Sequence, residues 1–166
     1  MPILKKQHPG IKLILVGKPY GPQTDEYLDS LRRLIYRLNL QDNILYEGSV
    51  PHSRIVDYYR NCNLFITAST TGSLDKVTLE AMSCGVPVVV CNEAFKPILG
   101  KFADKLMFQP GNPEDLAAKI SSLLKLKSKQ QVKRYLRDTI IDNHSVDNLI
   151  NNLVFHFYET KNAKSV

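Results

Sequence analysis

Tryptophan is absent from the 166 residues, and cysteine occurs only three times, at Cys62, Cys84 and Cys91. An odd number without Cys-x-x-Cys spacing excludes a disulfide framework, and His8, His52, His144 and His156 form no ligand cluster with them, so neither a structural zinc nor a redox pair is expected. No apolar run approaches the roughly 20 residues that span a bilayer. The opening MPILKK is too short and too soon charged for a secretory signal, and the expectation is a soluble, cytoplasmic protein. Glycine and proline number only 8 and 9, which excludes collagen-like and linker-like chains. What is present is ordinary globular composition, 43% hydrophobic and 23% charged. A chain of this length can hide about 68–70% of its unfolded surface, enough for one sizeable core, so residues 1–166 read as a single domain.

Acidic residues are missing from one stretch. Residues 119–137 carry Lys119, Lys125, Lys127, Lys129, Lys133, Arg134 and Arg137 with no Asp or Glu, while the net charge of the whole chain is +6. The remainder is therefore close to neutral, and the excess is local. Two readings stand: a solvated helix face, or a peripheral contact with an anionic membrane surface such as an inner leaflet. Aromatics do not interleave with these charges in an RNA-motif pattern, so no nucleic acid partner is expected.

Hydrophobic periodicity alternates along the chain. Short runs rich in β-branched residues at 11–16, 44–46, 64–67, 86–91 and, more weakly, 106–108 predict buried strands. Between them Tyr27, Leu28, Leu31, Leu34, Ile35 and Leu38 make one stripe of a helix. Residues 53–61 open with Ser53 as an N-cap, 75–83 end at Gly85, and 113–126 begin with Pro, Glu and Asp as a first helical turn should. Val146, Leu149, Ile150, Leu153, Val154 and Phe157 form the cleanest stripe. Residues 1–10 read as the tail of a helix. Strand and helix in alternation imply a doubly wound, Rossmann-like α/β domain with a parallel sheet. Turns at 17–22, 48–51 and 70–73 fall at the carboxyl ends of the strands, where such sheets bind ligands.

The densest signal is residues 68–90, ASTTGSLDKVTLEAMSCGVPVVV. Physically this is a strand end, a loop of small polar residues, a short helix, a glycine stop and a second strand. A helix start after such a loop presents free N–H groups and partial positive charge to an anion. Lys76 adds a full charge beside it. Glu80, one turn on, can accept two hydroxyl hydrogen bonds, as acidic residues do with a ribose diol. The plainer reading makes Asp75 an N-cap and Glu80 a solvated helical acid.

Residues 79–89, LEAMSCGVPVV, resemble the signature of the retaining, nucleotide-sugar-dependent glycosyltransferases of GT-B fold, the group that includes glycogen synthase and sucrose synthase relatives. Further segments are similar in order: 8–17 (HPGIKLILVG) to the second strand of that family's C-terminal domain, 43–50 (NILYEGSV) to the third strand and its base-contacting loop, 58–66 (YYRNCNLFI) to the helix and strand before the site, and 106–117 (LMFQPGNPEDLA) to the last strand and next helix. The end of the last stripe, Phe157, Tyr158 and Glu159, resembles the terminal helix that crosses back toward the N-terminal domain.

The resemblance implies transfer of a sugar from a nucleoside diphosphate sugar to a polysaccharide or lipid-linked acceptor, with no metal or other cofactor. It implies Glu80 on the ribose, the backbone of Gly72, Ser73, Leu74, Asp75, Lys76 and Val77 at the diphosphate or sugar, Lys76 as counter-charge, and Ser49 and Val50 near the base. No catalytic side chain is assigned. Of the family's two framing glutamates only the second is matched; the first falls on Gly72, with Asp75 as a substitute three residues later. The family's first C-domain strand, its Arg and Lys loop and the N-terminal acceptor domain have no counterpart in residues 1–166. The expectation is therefore one half of a two-domain enzyme, missing the strand between the runs at 11–16 and 64–67, marginally stable and prone to associate. A nucleotide-sugar epimerase of the same architecture and a non-catalytic binding module are the alternative readings.

Overall fold

The computed structural model describes residues 1–19, 24–126 and 129–162. Helices and strands alternate through β4 as the periodicity predicts, and five α-helices follow among the described residues, of which α5, α6 and α8 have no counterpart among the expected elements: α1 (Pro2–Gln7), β1 (Leu13–Val16), α2 (Thr24–Arg37), β2 (Ile44–Gly48), α3 (His52–Asn61), β3 (Phe65–Thr67), α4 (Lys76–Ser83), β4 (Val88–Val90), α5 (Lys96–Leu99), α6 (Ala103–Leu106), α7 (Pro113–Lys125), α8 (Lys129–His144) and α9 (Val146–Asn162). Helix α7 starts as its sequence dictates. Pro113 stands in the first turn, Glu114 and Asp115 follow, and the Asn112 side chain accepts from the Asp115 N–H, satisfying one of the donors a helix start leaves open. At α3 the expected cap is displaced: the helix opens at His52 with Pro51 in the N-cap position, and Ser53 lies inside it. Proline's fixed φ already sets the entry there. Of the turn expected at 17–22, residues 20–22 lie outside the described residues.

The strands are all parallel but do not form one ladder. β1 pairs with β2, Leu13 opposite Ile44 and Leu15 opposite Tyr46; β3 pairs with β4, Phe65 opposite Val88 and Thr67 opposite Val90. Among the described residues no strand joins β1 to β3, so each of the two keeps one edge without a partner. The strand expected at 106–108 shrinks to a single parallel bridge between Val90 and Met107, because Leu106 is already committed to closing α6.

The core lies on the β4 side. Val88, Val89 and Val90 are wholly buried, with Ala81 and Met82 of α4, Phe95, Leu99, Leu106, Ile120 of α7 and Leu136 of α8 around them. This is the continuous apolar strand that a parallel sheet covered on both faces requires. The β1–β2 pair is wetter; Ile14 and Leu45 remain exposed. Asn43 ties the connection between α1 and β1 to the start of β2, its side-chain amide donating to the carbonyls of Pro9 (3.1 Å) and Ile11 (2.8 Å). Helix α1 packs on α7, where Ser121 Oγ donates to Gln7 and meets the His8 ring.

Two helices change the sequence reading. The basic stretch spans α7 and α8, and α8, whose Arg134 and Arg137 stay exposed, buries Val132, Leu136 and Ile140 on its other side and packs on α4. The stripe of α9, by contrast, stays largely open to solvent. Its Val146, Leu149, Ile150, Leu153, Val154 and Phe157 are between 47% and 73% exposed.

Candidate functional site

The segment between β3 and α4 is built from short polar side chains that bond one another. Thr67 Oγ1 accepts from the Ser69 N–H, Ser69 Oγ donates to Thr71 Oγ1 (3.3 Å), and Thr71 Oγ1 meets Ser73 Oγ (3.2 Å). Gly72 sits at φ +76°, a left-handed conformation that glycine adopts without steric cost. The loop is also held from behind. Asn92, buried just past β4, donates from Nδ2 to the Ser73 carbonyl at 2.7 Å while its Oδ1 accepts from the Ala94 N–H. Cys91 Sγ contacts the Ser69 carbonyl at 3.5 Å. The carboxyl end of β3 and the end of β4 are thereby stitched together.

Helix α4 begins where this loop ends. Thr78 and Leu79 direct their N–H groups to the Asp75 carbonyl, while those of Lys76 and Val77 have no acceptor among the described residues. Asp75 occupies the N-cap position but its side chain makes no capping bond. One of its carboxylate oxygens is shut off from solvent with no hydrogen-bond partner. Its charge bears on Cys91, whose thiol is pushed up first by burial and further by Asp75.

Glu80 stands one turn further on, its side chain 26% exposed. Oε2 accepts from the hydroxyl of Tyr59 at 3.1 Å, and Oε1 faces Lys76 Nζ at 3.6 Å. Lys76 itself is 81% exposed, so this pair contributes little to stability and its lysine is available to another anion. Tyr59 is buried on α3, with its ring edge-on to Phe65. Burial, and then the carboxylate that its hydroxyl faces, raise the Tyr59 phenol well above its ordinary range, so it acts only as a donor. The carboxylate is thus fixed from the core side and open from the solvent side.

The sequence-predicted residues fall into two clusters. Gly72, Ser73, Leu74, Asp75, Lys76, Val77 and Glu80 come together on the loop and first turn and a half of α4, and all but Asp75 and Glu80 are exposed. Ser49 and Val50 follow β2, beyond Gly48, whose carbonyl accepts from the Gly17 N–H. No hydrogen bond or ion pair joins Ser49 or Val50 to the α4 cluster among the described residues. Sequence reasoning did not single out Tyr59 or Asn92. Neither lies at a telling spacing from α4; Tyr59 is 21 residues away from Glu80 and Asn92 is 19 from Ser73. The one local hint for Asn92 is a buried amide directly after a run of valines, a place where an unsatisfied polar group would be costly.

Comparison with known proteins follows the same frame. The family described as Glycosyl transferases group 1 matches residues 1–139. Among curated proteins, the D-inositol 3-phosphate glycosyltransferase of Acidothermus cellulolyticus is 35% identical over 86 residues, which is 49% of this chain and 19% of that enzyme. The chain thus spans about a fifth of the length of that relative. Among solved structures, the sucrose-phosphate synthase of Thermosynechococcus elongatus superimposes with a TM-score of 0.80 at 20% identity, over 99% of this chain and 42% of that one. Anabaena HepE, solved in complex with UDP, gives 0.77 at 22% identity over 95% and 43%. These two likenesses establish the fold, that of the C-terminal half of GT-B glycosyltransferases. With a family match over most of its length, the chain belongs to the group 1 glycosyltransferases.

Proposed function

We propose that this chain binds the nucleoside diphosphate part of a sugar donor at residues 72–80, and that it is the donor-holding half of a retaining glycosyltransferase that passes the sugar to a glycan or lipid-linked acceptor. The observation that carries this reading is the start of α4: two N–H groups without acceptors, on Lys76 and Val77, beside a loop already fixed by Asn92. Such a helix start favours an anion. HepE, with the same fold, was solved with UDP, which supports a nucleotide at the equivalent pole.

The proposed roles follow from the geometry. The N–H groups and Lys76 take the diphosphate and stabilise the charge that develops on it as the glycosidic bond breaks. Glu80 takes the ribose hydroxyls, held in place by Tyr59. Ser49 and Val50 approach the base from the other strand pair. The acceptor is supplied by residues other than these. A binding module without turnover is the second reading, favoured by Gly72 at the position of the family's first carboxylate and by the inward, unpartnered oxygen of Asp75.

Titration with UDP, GDP and ADP while following backbone amide shifts tests the site. Shifts are expected to concentrate at residues 70–80, and a map centred on residues 119–137 would refute the assignment. Glu80→Gln is expected to weaken nucleotide binding by about tenfold or more, since a charge-assisted hydrogen bond is worth roughly 1.5–3 kcal/mol. Its effect on folding should stay at about 1 kcal/mol or below, since the amide oxygen still accepts from Tyr59 but without the charge. Tyr59→Phe keeps the ring in place but removes the donor behind Glu80. About fivefold weaker binding is expected from the loss of roughly 1 kcal/mol of positioning, read by calorimetry. Wild-type affinity in both variants would return Glu80 to the role of a solvated acid.

A further inference from the structure

The basic stretch is divided by the fold. Lys119 donates to the Asp104 carbonyl on α7's side of the molecule, whereas Lys133, Arg134 and Arg137 project from α8 against the end of α4. With Gln130 they occupy i, i+3, i+4 and i+7, one face of the helix. They line a cavity of about 370 Å³ whose floor is Cys84 and Gly85. Gly85 leaves that floor open, since a side chain there would meet nothing within 4 Å. No acidic residue lines the cavity.

The charges are only partly spent inside the protein. Arg137 donates to the Ser83 carbonyl and so caps α4, a favourable placement of a cation at a helix C-terminus. Arg134 faces Asp138 at 3.6 Å, with its own side chain 83% exposed, a pair weak enough to exchange. Lys133 has no ion pair among the described residues. Three cations within about 6 Å of helix, with no acidic residue lining the cavity beside them, make a concentrated positive patch that complements an anionic surface.

We infer that the α8 face of Gln130, Lys133, Arg134 and Arg137 docks the protein on the phosphate layer of an anionic lipid membrane. The cavity opens at the far end of α4 from the Gly72 loop, so a docked molecule keeps the loop and Glu80 accessible to nucleotide. The inference narrows the contact from a run of 19 residues to one helix face, and it stands independently of the proposed nucleotide site.

Cosedimentation with vesicles is the test. The full chain is expected to pellet with vesicles of phosphatidylcholine and phosphatidylglycerol in equal parts, to stay in solution with phosphatidylcholine alone, and to be released by added salt. Lys133→Gln combined with Arg134→Gln should weaken partition about thirtyfold, because each cation near an anionic surface is worth roughly five- to sixfold. Lys119→Gln combined with Lys125→Gln removes the same charge outside the cavity and should have a clearly smaller effect. Circular dichroism and urea unfolding of the α8 variant, expected to match the wild type, show that it is folded. Equal loss in the two double variants, undiminished binding of the α8 variant, or equal pelleting with neutral vesicles would overturn the inference. So would calorimetric binding of inorganic phosphate with no vesicle binding, which would make the cavity a site for a free anion.

Discussion

Replacing Leu136 by alanine is expected to lower the stability of the protein by about 2–5 kcal/mol, the range for a fully buried leucine whose cavity collapses only in part. Leu136 has no exposed surface and sits on the inward face of α8 between Val132 and Ile140. Because α8 lies on α4, and α4 on the buried valines of β4, the void opens in the middle of the core rather than at its rim. Urea unfolding followed by circular dichroism measures the effect. Leu149→Ala on α9 is the control: that leucine is 59% exposed, and its loss should change stability by less than about 0.5 kcal/mol. A Leu136 variant as stable as the control would show that α8 is a surface addition to the fold and not part of its core.

The second large effect is expected at Gly100. Its backbone lies at φ 48°, ψ −125°, a region that side-chain-bearing residues reach only with strain of about 1–3 kcal/mol. Space is lacking as well: a Cβ there would stand 2.2 Å from the Tyr135 hydroxyl oxygen and 3.3 Å from the ring carbon that bears it. The ring has little freedom to retreat. It packs edge-on against Phe102 at 5.2 Å, and the Lys101 ammonium lies 5.4 Å from its centre. Gly100→Ala should therefore cost about 2–4 kcal/mol, combining backbone strain with displaced packing. The two contributions separate in a double-mutant cycle. Tyr135→Phe deletes the clashing oxygen, so Gly100→Ala should cost less in that background, with the backbone share remaining. An unchanged cost would place the whole effect in the backbone; no cost at all in the wild type would contradict the geometry.

What was legible in the sequence was whatever is encoded locally. The strand–helix alternation, the extent of α7 from Pro113 onward and the small-residue loop before α4 all depend on neighbours a few positions apart, and all are found where the pattern puts them. Leu136 shows where local reading stops. Val132, Leu136 and Ile140 recur every four residues, a helical stripe in plain view, but lysines and arginines between them dominate the composition and hid the fact that the opposite face is buried. The stripe of α9 is a helix as its pattern puts it, and it shows the converse: periodicity reports that a helix has an apolar face, not how far anything covers it. At the candidate site, Glu80 and the loop could be read from a motif. Tyr59 and Asn92 could not, since their partners, Glu80 on α4 and the Ser73 carbonyl, are brought to them only by the tertiary fold. That β1 and β3 share no ladder was legible only through the family resemblance, which puts a further strand between the runs at 11–16 and 64–67; the apolar runs themselves specify strands and not their neighbours.

The two strand pairs have a consequence for how the molecule loses structure. Hydrogen-bonded ladders transmit opening from strand to strand; here, among the described residues, no ladder joins β1 to β3 and that transmission stops between them. One half contains valines with no exposed surface, while the other leaves Ile14 and Leu45 in water. Its local opening exposes little new apolar area, so it costs much less than unfolding the whole. Stability in this protein is accordingly a property of each half: amide hydrogens of Leu13–Val16 and Ile44–Gly48 should trade with solvent through small openings, while those of Val88–Val90 wait for the core itself to come apart.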